Sequence, residues 1–304
     1  MTDMQQYLVD EFVEEYRAGR MTRREALRRV TLLTGSAAVA GSLIGAITPV
    51  KMAAEPSPAP LVQWAPQVSA FDPGIRAGMV AVPADGATLL GYLARPADGA
   101  VHPGVMVIHA NQGLTAHEED VVRRYAKAGY TALAIDQLSR VGGVGSYPDS
   151  AEAMAACARL SSEQQVADLN AALGYLAGLP AARADRLGVT GFCAGGGRTW
   201  QVVLSNPRVT AAVPYYGPIQ PMDDLSNLQA VMLCIYAGED TNVNSRVPQM
   251  EAAMQAAGKT LEIVYEPGAL HAFFNESNPD RYNAGAAADA WARTLDWFGR
   301  YLGG

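Results

Sequence analysis

Gly191-Phe192-Cys193-Ala194-Gly195-Gly196 is the stretch that decides the fold of this chain. It follows the apolar run Leu187-Gly188-Val189-Thr190 and leads into a helical pattern that begins near Gly195 and continues through Trp200, Val203 and Leu204. Glycines two places before and two places after a candidate nucleophile let the chain turn sharply from strand to helix, because a larger side chain would clash inside the turn. The pattern is a nucleophile elbow with Cys in the place usual for Ser. The helix that follows directs its terminal N–H groups and the positive end of its dipole at the sulfur, which favours a thiolate and an oxyanion beside it.

Outward from the elbow, short β-rich runs alternate with helical patterns. Upstream, Leu89 to Arg95 and the apolar run Gly104 to His109 are strands, and Val121 to Ala128 is a helix with Gly129 placed to cap it. Thr131 to Ile135 is the next strand, ending at Asp136, and the Gly-rich stretch Val141 to Tyr147 is a loop. Ser161 with Gln164 fits a capping box for a helix through Val166, Leu169, Leu173 and Leu176, with Pro180 after it. Downstream, Ala211 to Tyr216, Val231 to Tyr236 and Leu261 to Tyr265 are strands, and a helix from about Ala287 to Tyr301 closes the chain. This alternation predicts an α/β fold, a mostly parallel central sheet flanked by helices on both faces.

The 304 residues are 49% apolar and 17% charged, enough to bury one substantial core, so one domain over 61–304 with an N-terminal extension over 1–60 is expected. That composition excludes disorder as the main state. A net charge of −7, with no basic stripe beyond the first thirty residues, argues against a nucleic-acid partner. Cys157, Cys193 and Cys234 cannot all pair, and their spacing fits neither a CxxC redox motif nor a zinc site. No metal or organic cofactor is implied. Cys157, in an Ala-rich helical stretch, and Cys234, in an apolar strand, are expected to pack as small hydrophobes.

Ahead of the domain, Thr22-Arg23-Arg24-Glu25-Ala26-Leu27-Arg28 precedes an uncharged run from Val30 to Val50. Twin arginines before a mildly apolar stretch resemble a twin-arginine export signal, against the plainer alternative of an amphipathic helix with solvated arginines. Export through twin-arginine machinery is the expectation, because an uncharged run near spanning length is awkward on a soluble surface. The preceding segment, Met1 to Met21, is long and acidic, and no clean small-x-small cleavage site stands around Met52, Ala53 and Ala54. Retention as an uncleaved membrane tether through 30–50 is therefore the other outcome, and the protein stays cytoplasmic if the leader is no signal. Ala54-Glu55-Pro56-Ser57-Pro58-Ala59-Pro60 has the composition of an extended linker.

A thiol nucleophile needs a base, and the base needs an orienting carboxylate. Behind an elbow these follow in the order acid, then histidine, each in a loop after a later strand. Asp240 ends Ala237-Gly238-Glu239-Asp240, just past the strand to Tyr236, and His271 lies in Gly268-Ala269-Leu270-His271-Ala272-Phe273, just past the strand to Tyr265. His271 would take the proton of Cys193, and Asp240, or its neighbour Glu239, would set the histidine tautomer. His109 leads into Ala110-Asn111-Gln112-Gly113-Leu114, the loop placed to supply the second oxyanion donor. The backbone N–H groups of Asn111 and Ala194 are the candidates. His102 is expected to be solvated, and His117 opens an acidic helix start with Glu118, Glu119 and Asp120.

Val107 to Leu114, Gly129 to Asp136, Gly191 to Gly197, Tyr215-Tyr216-Gly217, Gly238-Glu239-Asp240 and Gly268 to Phe273 together resemble the dienelactone hydrolase family, the cysteine-nucleophile branch of the α/β-hydrolases. The resemblance spans roughly residues 79 to 303. It implies an α/β-hydrolase fold, a triad of Cys193, Asp240 and His271, and hydrolysis of a small-molecule lactone or carboxylic ester, carboxymethylenebutenolidase-like, through an acyl-enzyme. In the family a glutamate commonly follows the first-loop histidine and holds the resting thiol; here that residue is Ala110, so a Cys–His ion pair is the expected resting state. The family also binds a substrate carboxylate with arginines. Arg140 fits the one in the loop after Asp136, whereas Asn275 stands just past His271-Ala272-Phe273-Phe274. The alternative of another class is a catalytically weak, membrane-tethered binding or scaffold protein on the same fold.

Overall fold

A computed structural model of the chain describes residues 1–45, 47, 64–219 and 224–303. Its sheet has eight strands: β1 (Ile75–Ala84), β2 (Ala87–Pro96), β3 (His102–Ile108), β4 (Thr131–Ile135), β5 (Ala182–Phe192), β6 (Val209–Tyr215), β7 (Val231–Ala237) and β8 (Leu261–Glu266). The helices are α1 (Asp3–Arg17), α2 (Arg23–Thr34), α3 (Ala37–Gly45), α4 (Ala116–Lys127), α5 (Ser150–Arg159), α6 (Ser162–Gly178), α7 (Ala194–Ser205), α8 (Thr241–Asn244), α9 (Val247–Ala256) and α10 (Ala284–Leu302).

The strand order is β1-β2-β4-β3-β5-β6-β7-β8. β2 runs antiparallel to both its neighbours, and every other pairing is parallel. The α/β fold with a mostly parallel sheet and flanking helices is thus the observed one. Every residue of β4 is buried, as are the last five of β3, because parallel strands are covered on both faces and carry apolar side chains on each. β5 lies inside the sheet, and the turns after β3, β5, β7 and β8 all leave from the same carboxyl edge. An active site of a parallel sheet belongs there.

Three local structures differ from the sequence expectation. β1 was not anticipated, since Gly78 and Pro83 dilute its pattern; it is an edge strand, where a missing N–H is tolerated, and it pairs with β2 from Ile75 to Ala84. The Gly-rich loop over 141–147 holds the end of one 3-10 turn, Gln137–Val141, and a second at Val144–Ser146. The elbow strand extends well beyond Leu187 to Thr190, from Ala182 to Phe192.

The chain divides into two compact units, Met1–Ala65 with Gly145–Leu160, and Pro66–Val144 with Ser161–Gly304. In the first, the N-terminal helices pack with α5: Arg28 meets Asp149 at 2.6 Å, Arg159 donates to the Leu32 carbonyl at 2.5 Å, and Thr2 donates to the Ala158 carbonyl at 2.9 Å. The uncharged run after Val30 is broken, because Gly35 takes a left-handed conformation (φ 70) and ends α2 before α3 begins. No helix among the described residues is long and apolar enough to cross a membrane. The linker 54–60 and the candidate cleavage region 52–54 lie outside the described residues.

In the second unit the elbow leaves no space for one more carbon. A Cβ on Gly191 would stand 2.2 Å from the Gly195 carbonyl oxygen. Gly191→Ala is therefore expected to lower stability by about 3 kcal/mol, since the Gly195 backbone would have to move aside. Gly174, inside α6, has open space around it, and Gly174→Ala should raise stability by about 0.5–1 kcal/mol. Urea denaturation of both variants checks the opposite signs.

Candidate active site

Cys193 sits at the turn between β5 and α7 with φ 54 and ψ −119, and its N–H donates to the Tyr215 carbonyl at 3.1 Å. Gly195 makes the turn feasible, since a Cβ there would lie 2.3 Å from the Ile108 carbonyl oxygen and 2.5 Å from that of His109. That approach brings the start of α7 against the turn that carries Asn111. Ala194 is the first residue of α7 and Asn111 is buried in the turn after β3.

His271 and Asp240 come together from the turns after β8 and β7. Nδ1 of His271 and Oδ2 of Asp240 are 2.6 Å apart, and the other carboxylate oxygen accepts the Val243 N–H at 3.2 Å as the cap of α8. Asp240 is thereby held at both oxygens. Glu239, the alternative acid, is exposed, because adjacent residues leaving a strand face opposite ways. A ring nitrogen of His271 lies within 4.8 Å of the Cys193 sulfur. With Nδ1 committed to Asp240, Nε2 is the nitrogen that can exchange a proton with the thiol.

Strain gathers at this place. Among the described residues, the only non-glycine positions with positive φ are Cys193, Tyr216 (φ 35) and Ala272 (φ 66), the thiol, a residue after β6, and the neighbour of His271. Left-handed geometry costs an ordinary residue roughly 1–2 kcal/mol, so surrounding contacts must hold it. For Tyr216 they are visible: its N–H donates to the Ile235 carbonyl at 2.7 Å, and its ring meets His271 edge-on at 5.1 Å and Phe273 at 5.2 Å. Burial pushes its hydroxyl well above the usual tyrosine range, and the nearby Cys193 pushes the same way. In the sequence Tyr216 stood out only as part of a family motif.

The loop that carries His271 is anchored by charge. Glu276 receives Arg124 at 2.8 Å and the Gln67 amide at 2.6 Å on one oxygen, and the other lies 3.2 Å from Nδ1 of His117. Arg124 in turn meets the fully buried Asp120 at 2.6 Å, which also accepts the Val68 N–H at 2.9 Å. Burial raises the Glu276 carboxyl, but hydrogen bonds from His117 and Arg124, and the charge of Arg124, outweigh it and hold it down at about 2. His117 is thus a buried partner of Glu276, more than a polar opening to α4. No local pattern marks Glu276, whose partners lie about 150 residues or more earlier in the chain.

Other expected residues have different surroundings. Both the Nε and Nη2 of Arg140 are held by Asp168, at 2.8 and 2.7 Å, and Nη2 also donates to the Asp85 carbonyl at 2.8 Å. The guanidinium that the sequence offers for a substrate carboxylate is therefore engaged within the fold. His102, expected in solvent, is paired with Asp98 at 2.9 Å. Cys157 and Cys234 are buried free thiols, and burial pushes the Cys234 thiol strongly up.

The model of the dienelactone hydrolase family matches residues 89–302. A protein of Methylorubrum extorquens that carries the name carboxymethylenebutenolidase is 34% identical over 240 residues, covering 75% of this chain and 82% of its own length. A Bradyrhizobium protein named as a 2-oxo-3-(5-oxofuran-2-ylidene)propanoate lactonase is 32% identical over 246 residues, covering 76% of this chain and 96% of its own. Among solved structures, one named as a dienelactone hydrolase from Klebsiella pneumoniae superposes with a TM-score of 0.68 at 32% identity, covering 75% of this chain and 99% of its own.

The depressed Glu276 carboxyl has a pH signature. A group whose acidity is strengthened by folding stabilises the native state above its unfolded value, near 4.3, and that stabilisation is lost as pH falls toward about 2. Glu276→Gln should therefore be less stable than the parent by about 2 kcal/mol at pH 7, and the difference should shrink steadily below about pH 4. Urea titrations of both proteins between pH 7 and pH 2 measure it.

Proposed function

This chain belongs to the dienelactone hydrolase family and is a hydrolase acting on ester or lactone bonds, and from that premise we propose that Cys193, His271 and Asp240 carry the reaction through an acyl-enzyme. The observation that carries the proposal is the 2.6 Å bond between His271 Nδ1 and Asp240, with the Cys193 sulfur within 4.8 Å of the same imidazole. Asp240 fixes the tautomer in which Nδ1 bears the hydrogen and steadies the imidazolium when it forms. Nε2 takes the proton of the thiol before or as the sulfur bonds to the substrate carbonyl carbon.

The carbonyl oxygen takes the electron pair of the broken π bond and becomes an oxyanion between the N–H groups of Asn111 and Ala194. As the carbonyl re-forms, the C–O bond to the leaving alkoxide breaks, and that oxygen receives the proton from His271. A thioester on Cys193 remains. His271 then deprotonates a water that attacks the thioester, and the thiolate leaves and is reprotonated. A lactone gives a single open hydroxy acid, since its leaving oxygen stays attached to the acyl group; an ester gives an acid and an alcohol.

Two further proposals concern place. The exposed Arg23 and Arg24 at the start of α2, ahead of the uncharged residues from Val30, support export by a twin-arginine route or retention as a tether. Replacing both arginines by lysine should leave the protein in the cytoplasmic fraction of its host. An unchanged distribution, with the same N-terminal residue in each fraction, sinks the signal.

For the chemistry, Cys193→Ala should lower kcat/KM on a small activated ester at least a thousandfold, about 4 kcal/mol, with the fold intact by circular dichroism. The parent protein, quenched early in turnover, should carry the acyl mass on the peptide containing Cys193. Full activity of the alanine variant would refute the assignment.

A further inference from the structure

His109 is buried to 1% exposure, and both its ring nitrogens are engaged by main chain. Nδ1 lies 2.5 Å from the carbonyl oxygen of Ala110, the next residue, and Nε2 lies 3.1 Å from the N–H of Gln137. A carbonyl oxygen can only accept and an amide N–H can only donate. The ring is therefore neutral with its hydrogen on Nδ1, donating to Ala110 and accepting from Gln137. Neither nitrogen is left to move a proton, so His109 is no second base.

We propose that His109 is a positioning residue for the oxyanion hole, aiming the N–H of Asn111 by holding the carbonyl at the other end of the same peptide unit. The Ala110–Asn111 peptide is planar, and in a trans peptide the C=O and N–H point in opposite directions. Holding the Ala110 oxygen with a ring that cannot turn thus fixes the line along which the Asn111 N–H points. The inference rests on the assignment of that N–H as an oxyanion donor. A hydrogen bond weakens steeply as its angle falls toward about 120°, so an uncontrolled peptide rotation would waste the donor. Donation to the carbonyl also polarises the peptide and strengthens its N–H as a donor.

The far side of the ring is anchored as firmly. Gln137 opens the 3-10 turn after β4, where Asp136 caps the Leu138 N–H at 3.0 Å and accepts the Val144 N–H at 2.6 Å. The main chain of His109 itself lies against Gly195, whose Cβ would stand 2.5 Å from the His109 carbonyl oxygen. One imidazole therefore ties the turn after β3 to the turn after β4 beside the start of α7. Ala110, where the family commonly has glutamate, leaves a carbonyl as the group through which residue 110 serves the site.

The test separates acyl transfer, which develops an oxyanion, from alkylation of Cys193 by iodoacetamide, which does not. His109→Gln keeps an acceptor for the Gln137 N–H and loses the donor to Ala110; His109→Asn keeps an amide donor near the place of Nδ1. For His109→Gln, kcat on p-nitrophenyl acetate should fall roughly 10- to 100-fold, part of the 10²–10³ that loss of a whole oxyanion donor produces. KM and the alkylation rate at Cys193, read by peptide mass mapping, should stay within about threefold, and His109→Asn should keep kcat within about fivefold. The proposal is overturned if kcat of His109→Gln stays within about threefold of the parent, or if alkylation falls in step with acylation, which would mean packing alone. It is also overturned if His109→Asn, alkylated at the parent rate, loses tenfold or more in kcat, an arm that stands even if the Gln variant does not fold. A parent protein that forms no thioester at Cys193 would remove the nucleophile assignment and this inference with it, and that result is read without any His109 variant.

Discussion

The approach of Gly195 to the carbonyls of Ile108 and His109 is the constraint on which the rest of the site depends. A single added carbon would lie 2.3 and 2.5 Å from those oxygens, inside any van der Waals limit. Because α7 can come this close, its first residue, Cys193 before it and the turn after β3 share one small region. The sheet order makes that contact available, since β3 and β5 are parallel neighbours and end at the same edge. A chain with a side chain at residue 195 would have to separate the helix from the turn, and Ala194 from Asn111 with it.

Holding backbone in unfavourable conformations is the second cost of the arrangement. Cys193, Tyr216 and Ala272 each adopt φ values that ordinary residues avoid, and each lies at a turn leaving the carboxyl edge of the sheet. Roughly 1–3 kcal/mol of strain at each position must be offset elsewhere, and the fold does this with buried groups. Phe192, immediately before the thiol, stacks on Phe274 at 5.1 Å, and Phe274 lies three residues after His271. Just beyond, Glu276 ties the same loop to Arg124 and His117 on α4. The loop that carries His271 is thus fixed by an aromatic contact on one side and an ionic network on the other.

Much of this was legible in the sequence, and the reason is that the signals are local. The glycine spacing around Cys193 needs only the elbow itself, and the apolar runs of β3, β4 and β7 carry their burial in their composition. The placement of Asp240 and His271 in turns follows from which strand each residue succeeds. β1 escaped because an edge strand bears weak patterning, and Glu276 because a carboxylate in a polar loop carries no sign of the arginine it will meet.

By itself the sequence determined the fold class, the strand-to-helix turn that carries Cys193 and the two turns that carry Asp240 and His271, since strand periodicity and turn chemistry are properties of neighbouring residues. Only the tertiary structure paired His271 with Asp240 and left Glu239 exposed, turned Arg140 toward Asp168, buried His117 against Glu276 and placed the His109 ring between Ala110 and Gln137. Each of those outcomes pairs groups by direction and distance after packing. A donor and an acceptor 28 or 31 residues apart leave no shared pattern in the chain, and their meeting is set by how the sheet and helices close around them.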